Sequence, residues 1–300
     1  MKALWNSSAD IPQEMTLGNL MFMNIVDMKV TRDEFRDAFK ANGVPESFVR
    51  DISPADAFRR ASSSVAGKFG NYKIEVDEVR SDSQGIKKVI GVKEANNVLD
   101  TMEYEPAVEL FFNRDTQTAS YLLLKQDPVF DAMGQKVVDT FNDWTIYHTK
   151  DTVRNTIKRI VDFMHPVNLM PTGLCKFIPK THTQLLEGLK GALNQLSQYS
   201  TSVHAENVCE IIPVFDTNDQ RKVIQECCGN EIQEEISSLV FTLKDDLTKK
   251  QQLSTRSMQS YIEKFKDLEK KAGEYEGLLD TYFTVARAQL QEALKLVAAP

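Results

Sequence analysis

From Ile232 to Leu294 the apolar residues step by three or four: Ile232, Ile236, Leu239, Leu243 and Leu247, then Met258, Ile262, Phe265, Leu268, Ala272, Tyr275, Leu279, Tyr282, Ala286, Leu290 and Leu294. This spacing places one apolar stripe along a helix and has no counterpart on a strand, so the chain after Asp216 reads as helix packed on helix. A stripe this long does not stay in water, because each large apolar side chain gains roughly 1.5–3 kcal/mol on burial. Residues 217–300 are therefore expected to form a long helical hairpin or coiled coil, joined near Lys249-Lys250-Gln251-Gln252, with one continuous helix as the alternative. Tyr275, Leu279, Tyr282 and Phe283 are its densest apolar group and the expected partner-binding surface. They are buried either against Ile232–Leu247 or against another chain.

Upstream the period differs. Leu17 to Val30 has the apolar and β-branched content of a strand, and it stops where Thr31 with Glu34 forms a capping box. Phe35, Ala38 and Phe39 give that helix a face, and Gly43 is placed to end it. Ser53, Pro54 and Asp56 start another helix, with Ala57, Phe58 and Ala61 inward. Between Tyr72 and Lys125 the period becomes two, in Tyr72, Ile74, Val76 and Val79, in Val89, Ile90 and Val92, in Val108, Leu110 and Phe112, and in Tyr121 to Leu124. That predicts an antiparallel sheet with one wet face. Asp127-Pro128 opens a helix, and Asp151 is read as the cap of the next, which carries Val153, Ile157, Ile160, Val161 and Met164. From Pro171 to Phe215 the order is turn, strand (Leu174 to Ile178), helix, strand, as either a βαβ unit or an antiparallel pair. The fold class is α+β in three segments: 1–150, a central unit 151–216, and the helices of 217–300. The change of period near Asp216 predicts that residues 1–216 fold by themselves.

Composition and motifs exclude more than they assign. With 36 Lys and Arg against 43 Asp and Glu, the formal charge of −7 opposes non-specific coating of nucleic acid. A local basic groove of Arg59, Arg60, Lys158, Arg159 and Lys176 is still open as a phosphate-contacting surface, although solvated helix faces carry the same residues. The four cysteines, Cys175, Cys209, Cys227 and Cys228, have no paired-motif spacing. With no leader and no apolar run of membrane length, they read as free thiols in a reducing cytoplasm. His165, Cys175, His182 and Cys209 are the residues a metal site would draw on, but none sits at ligand spacing, so no metal or cofactor is expected. Cys175 with His182 is the one nucleophile-base pair to consider, and its spacing gives it no support. Glu75, Asp77, Glu109, Lys93 and Glu94 lie on candidate strands, as in a divalent-metal nuclease or on any wet sheet face. No phosphate-binding glycine loop is present. Phe111, Phe112, Tyr121 and Tyr104 suit either base stacking or a core.

Two stretches, Thr31-Arg-Asp-Glu-Phe-Arg-Asp-Ala-Phe-Lys-Ala-Asn-Gly43 with Ser53-Pro-Ala-Asp-Ala-Phe-Arg-Arg-Ala61, and Pro171-Thr-Gly-Leu-Cys-Lys-Phe-Ile-Pro-Lys-Thr-His182, resemble an uncharacterised protein family of bacteriophages and bacterial mobile elements. Where that family has a more glycine-rich turn, this chain has Thr172-Gly173. The resemblance covers about half of the chain and implies a setting, a bacterial host cell, but no activity and no site residues. The expected function is that of a non-enzymatic protein-interaction factor associating with itself or a partner through the C-terminal helices. The alternative is a nucleic-acid-binding or metal-dependent nucleic-acid-processing protein.

Overall fold

The computed structural model describes residues 15–69, 71–94, 104–148, 150–170, 173, 175–202, 206–250 and 254–298. In chain order the strands are β1 (Thr16–Asn24), β2 (Val30–Thr31), β3 (Gly67–Phe69), β4 (Tyr72–Ser81), β5 (Gly85–Glu94), β6 (Glu105–Asn113), β7 (Thr118–Leu123), β8 (Tyr147–His148), β9 (Val167–Asn168), β10 (Cys175–Pro179) and β11 (Val208–Phe215). The α-helices are α1 (Arg32–Ala41), α2 (Pro54–Ser63), α3 (Pro128–Ile146), α4 (Lys150–Phe163), α5 (Thr183–Leu196), α6 (Asn218–Lys250), α7 (Thr255–Leu279) and α8 (Thr284–Ala298). The class is α+β, with a helical C-terminal region.

Local chemistry sets several helix ends where the sequence places them. Thr31 Oγ1 accepts from the Glu34 amide at 3.3 Å, and Glu34 Oε2 accepts from the Thr31 amide at 3.1 Å, which closes the capping box. At the far end of α1, Gly43 has φ +73°; its amide donates to the Lys40 carbonyl and that of Val44 to the Phe39 carbonyl, a Schellman ending that an L side chain would strain. Ser53 Oγ accepts from the Asp56 amide at 3.1 Å. Replacing Thr31 or Ser53 with Ala should each cost about 0.5–2 kcal/mol. The measurement is the urea midpoint at constant m value, and unchanged midpoints in both variants would remove the caps from the account of these helices. Asp151 is different: α4 begins one residue earlier, so its carboxylate lies in the first turn, favourable to the helix dipole but not the cap.

The chain divides into two compact units, one of residues 27–37 and 49–153, the other of residues up to Val26, 38–48 and from Arg154 onward. In the first, five antiparallel strands run in the order β3-β4-β5-β6-β7. Ile90, Val108, Leu110 and Phe112 share the face on which Phe58, Met133 and Phe141 of α2 and α3 are buried. Val79 departs from the predicted alternation and is 59% exposed, because the register slips between Glu78 and Arg80 and a bulge turns it outward.

In the same unit β2 pairs with β8 and encloses His148, whose side chain is 2% exposed, 3.5 Å from Asp51 and edge-on to Phe35. Burial, with Asp51 opposing and Arg32 and Arg36 assisting, lowers its imidazole from 6.5 to about 4. The unfolded chain then takes up a proton that the folded one refuses. Stability should fall as pH drops from about 6.5 to about 4 and level off below, by at most about 3 kcal/mol. Chemical denaturation across that window checks it: His148→Phe should flatten the slope, and an equally steep profile in the variant would assign the slope to other groups.

In the second unit the sheet order is β11-β1-β10-β9, with β1 antiparallel to both neighbours. β10 and β11 are therefore parallel but not adjacent. The strand-helix-strand unit is a βαβ crossover split by the N-terminal strand, which neither sequence alternative contained. At Gly18 a Cβ would stand 2.1 Å from the Ile178 carbonyl oxygen and 2.7 Å from the Phe177 ring, so only glycine fits there. The strand expected to reach Val30 ends at Asn24. Beyond it the Val26 amide donates to Asn207 Oδ1 and the Ile25 carbonyl accepts from Arg154, so side chains rather than a strand partner satisfy that backbone. Pro171, Thr172 and Leu174 lie outside the described residues, while Gly173 has φ +66° as a turn requires.

The C-terminal helices belong to this unit's core. Ile224, Cys228, Ile232, Ile236 and Leu243 of α6 are buried together with Phe265, Ala272, Tyr275, Ala286 and Leu290, and with Leu17, Val167, Phe177 and Val214 of the sheet. The 216/217 boundary thus runs through one core. The helix expected over Met258–Leu294 is two helices. Asp280 takes φ +51°, the Asp280 and Thr281 amides donate to the Glu276 carbonyl, and Glu276 Oε1 accepts from the Phe283 amide at 3.0 Å. Arg287 closes on the same carboxylate at 2.7 Å. α6 ends at Lys250 in the predicted region, and Gln251 and Gln252 lie outside the described residues. Among the described residues no helix is long and apolar enough to cross a membrane.

Candidate functional site

Beside its buried stripe of Leu268, Ala272, Tyr275 and Leu279, α7 carries Asp267, Lys271 and Glu274 at i, i+4 and i+7. That spacing aligns them on one flank. Each meets groups from distant parts of the same unit. Lys271 Nζ reaches Glu231 Oε1 at 2.7 Å and Glu235 Oε1 at 3.3 Å on α6. Glu231 Oε2 also accepts from the Asn168 amide at 2.7 Å and from Asn168 Nδ2 at 2.9 Å, and Asn168 Oδ1 accepts from Lys176 at 2.9 Å. Burial alone would raise the Glu231 carboxyl and lower the Lys271 amine. Attraction to Glu235 and Glu231 outweighs it at Lys271, and the Lys271 charge with the Asn168 bonds outweighs it at Glu231, holding Lys271 above and Glu231 below the ordinary range, whereas burial keeps Glu235 raised.

One turn further on, Glu274 accepts from three donors. His165 Nδ1 lies 2.8 Å from Oε2, His182 Nε2 lies 3.1 Å from Oε1, and Thr181 Oγ1 also bonds Oε1. The hydrogen bond to Glu274 raises the His165 imidazole. Burial opposes ionisation of Glu274, yet its bonds from His165, His182 and Thr181 hold the carboxyl far below the usual range. The backbone fixes this arrangement. His165 sits in the left-handed region at φ +48°, just after α4, and its carbonyl accepts from Tyr275 Oη at 2.9 Å, so the residue after Glu274 holds the loop that presents His165. His165 Nε2 faces Asp267 at 3.5 Å, and the His182 ring packs edge-on against Phe163. The ligand-capable atoms of His165, His182 and Glu274 all lie within 4.8 Å of one another.

Residue type named both histidines among those a metal site would draw on, spacing gave them no support, and Glu274, 92 residues beyond His182, was not among them. The nearest signal was the charged flank itself. The two cysteines considered with them are not in this group. Burial raises both thiols, Cys209 to about 12, and His182 is turned to Glu274 rather than serving Cys175 as a base.

The other expected site residues are placed as follows. Arg59 and Arg60 lie in the unit of residues 49–153 and Lys158, Arg159 and Lys176 in the other. Arg59 is paired with Glu78 and Asp56, Arg159 bonds Thr156 Oγ1, Lys176 bonds Asn168, and Arg60 and Lys158 are exposed. Glu75 and Asp77 on β4 are separated from Glu109 on β6 by β5, and Glu109 is paired with Lys87 at 2.7 Å. The Glu94 side chain lies outside the described residues, and Lys93 is on β5. Phe112 is core, Tyr121 bonds Asp131, Phe111 lies under Lys87, and Tyr104 is exposed. Tyr275, Leu279 and Phe283 are buried within their own unit, but Tyr282, expected to join them, is 65% exposed. The reversal at Asp280 rotates it out of the stripe.

Fold and site together define an α+β protein whose C-terminal helices complete a split βαβ layer and clasp it through one charged helix flank. The chain belongs to the family of unknown function DUF6744, whose model matches residues 16–299. No curated protein and no solved structure matches the chain.

Proposed function

We propose that this chain is a non-enzymatic protein-interaction factor, of bacteriophage or mobile-element type and acting in the host cytoplasm, that associates with a partner protein or a second copy of itself through its C-terminal helices. The setting rests on the resemblance of the Thr31–Gly43, Ser53–Ala61 and Pro171–His182 stretches. The mode of association rests on Phe241, which is 75% exposed on α6. α8 folds back along α7, with Arg287 reaching Glu276 and then Glu269. Its 15 residues extend about 22 Å against about 37 Å for the 25 of α7, so the α6–α7 pair runs on past the end of α8. Phe241 stands exposed on α6, six residues before the exposed Leu247, with Val240 and Met258 partly covered. An aromatic side chain held rigidly on a helix is the anchor type on which protein interfaces concentrate their energy.

Light scattering of the full chain, with cross-linking from position 241 in its host, tests this. A dimer that Phe241→Glu turns into a folded monomer supports self-association. Cross-links to one partner that the same variant abolishes support the other form. An unchanged mass and an unchanged cross-link pattern in Phe241→Glu/Leu247→Glu would overturn both.

A further inference from the structure

We propose that His165, His182 and Glu274 form a binding site for a divalent transition-metal cation of the Zn2+ class. Two imidazole nitrogens and one carboxylate are the donor set that such ions take, and three protein ligands leave one position of a tetrahedron for water or a further ligand. Hard cations such as Mg2+ and Ca2+ prefer oxygen alone. The geometry is close to that requirement. Zinc bonds of about 2.0–2.1 Å imply donor separations of about 3.3–3.4 Å, and His165 Nδ1 and His182 Nε2 stand 2.8 and 3.4 Å from the same oxygen, Oε2 of Glu274. The widest donor separation is no more than 4.8 Å.

The surroundings are those of a built site rather than a chance meeting of side chains. With Nδ1 as the ligand atom, Nε2 of His165 points to Asp267 at 3.5 Å, the outer carboxylate that orients a metal-bound imidazole. Thr181 hydrogen-bonds the carboxylate of Glu274, and Tyr275 fixes the His165 backbone. The ligands come from three places, just after α4, the turn before α5 and the last third of α7. Their side chains are 15–18% exposed, enough for an ion to enter and for water to complete the coordination. The site is independent of the association surface at Phe241 and would stand if that reading failed.

The experiment is calorimetric titration of the chelator-treated full chain with Zn2+, followed by the absorption spectrum of the Co2+ form. The expected result is one Zn2+ per chain at this site, with affinity lowered more than about 100-fold in His182→Asn and Glu274→Gln and about 10-fold in Asp267→Asn. Circular dichroism shows whether the variants stay folded. If they unfold, the Co2+ spectrum of the unsubstituted chain decides: four-coordinate bands without thiolate charge transfer assign the ion to imidazole and carboxylate. No Zn2+ uptake, undiminished uptake in the folded variants, or a thiolate band would overturn the proposal and leave the cluster as a histidine-carboxylate clasp.

Discussion

A chain ended at Asp216 should lose the cooperative unfolding of the unit that holds β1, although the sequence suggests an independent body there. Removing α6, α7 and α8 uncovers Leu17, Val167, Phe177 and Val214, which share their core with those helices. At roughly 1.5–3 kcal/mol for each large buried side chain, this is of the order of about 6–12 kcal/mol. That is comparable with the whole stability of a domain, about 5–15 kcal/mol. Glu231 and Glu274 leave with the helices, so Asn168, His165 and His182 also lose their carboxylate partners. The unit of residues 49–153 has a core drawn from residues 57–141, none of it from α6, α7 or α8, and should keep its own transition. Urea unfolding of the truncated chain therefore should show one transition with a reduced m value. A full-size m value, or protection of β1 amides from exchange, would show that the sheet stands without the helices.

Lys271→Met should destabilise the same unit by about 3–5 kcal/mol at neutral pH, the cost of leaving one side of a buried ion pair. Lys271 is 8% exposed and Glu231 16%, so neither is well hydrated; Glu235, at 45%, is the more exposed of the two carboxylates. The variant's loss should shrink on acidification. Without Lys271, burial would raise the Glu231 carboxyl, and a carboxyl raised in the folded state takes up its proton first there, favouring folding as pH falls. Adding Glu231→Gln to Lys271→Met should restore a large part of the stability by removing the stranded charge. A double variant no more stable than the single one would show that packing of the lysine stem, not the ion pair, carries the effect.

Much of this molecule was legible residue by residue. The Thr31–Glu34 box, the Gly43 ending, the Ser53 cap, the buried faces of α3 and α4 and the alternation of β6 follow from bonds and contacts within four or five residues, or from one face of one element. The candidate site was half legible. His165 and His182 stood out by residue type, but a carboxylate in a helix with many is indistinguishable until its neighbours in space are known. Glu274 differs from Glu269 only in what α7 is packed against.

The sequence by itself therefore determined for most of the long segments whether they are helix or strand, where several of them start and stop, and which side is apolar, because those properties arise from local hydrogen bonds and from period. Only the tertiary structure decided how the segments pair. β1 enters between β10 and β11 because both of its edges find partners there, and nothing within its nine residues records which strands those are. The reversal at Asp280 is equally silent. Leu279, Phe283, Ala286 and Leu290 continue steps of three or four through it, since both helices turn their stripes to one core, and period is blind to the direction of the chain. The meeting of Glu274 with two histidines needs that reversal and that strand insertion together, and a contact created by long-range assembly leaves no local trace for the sequence to show.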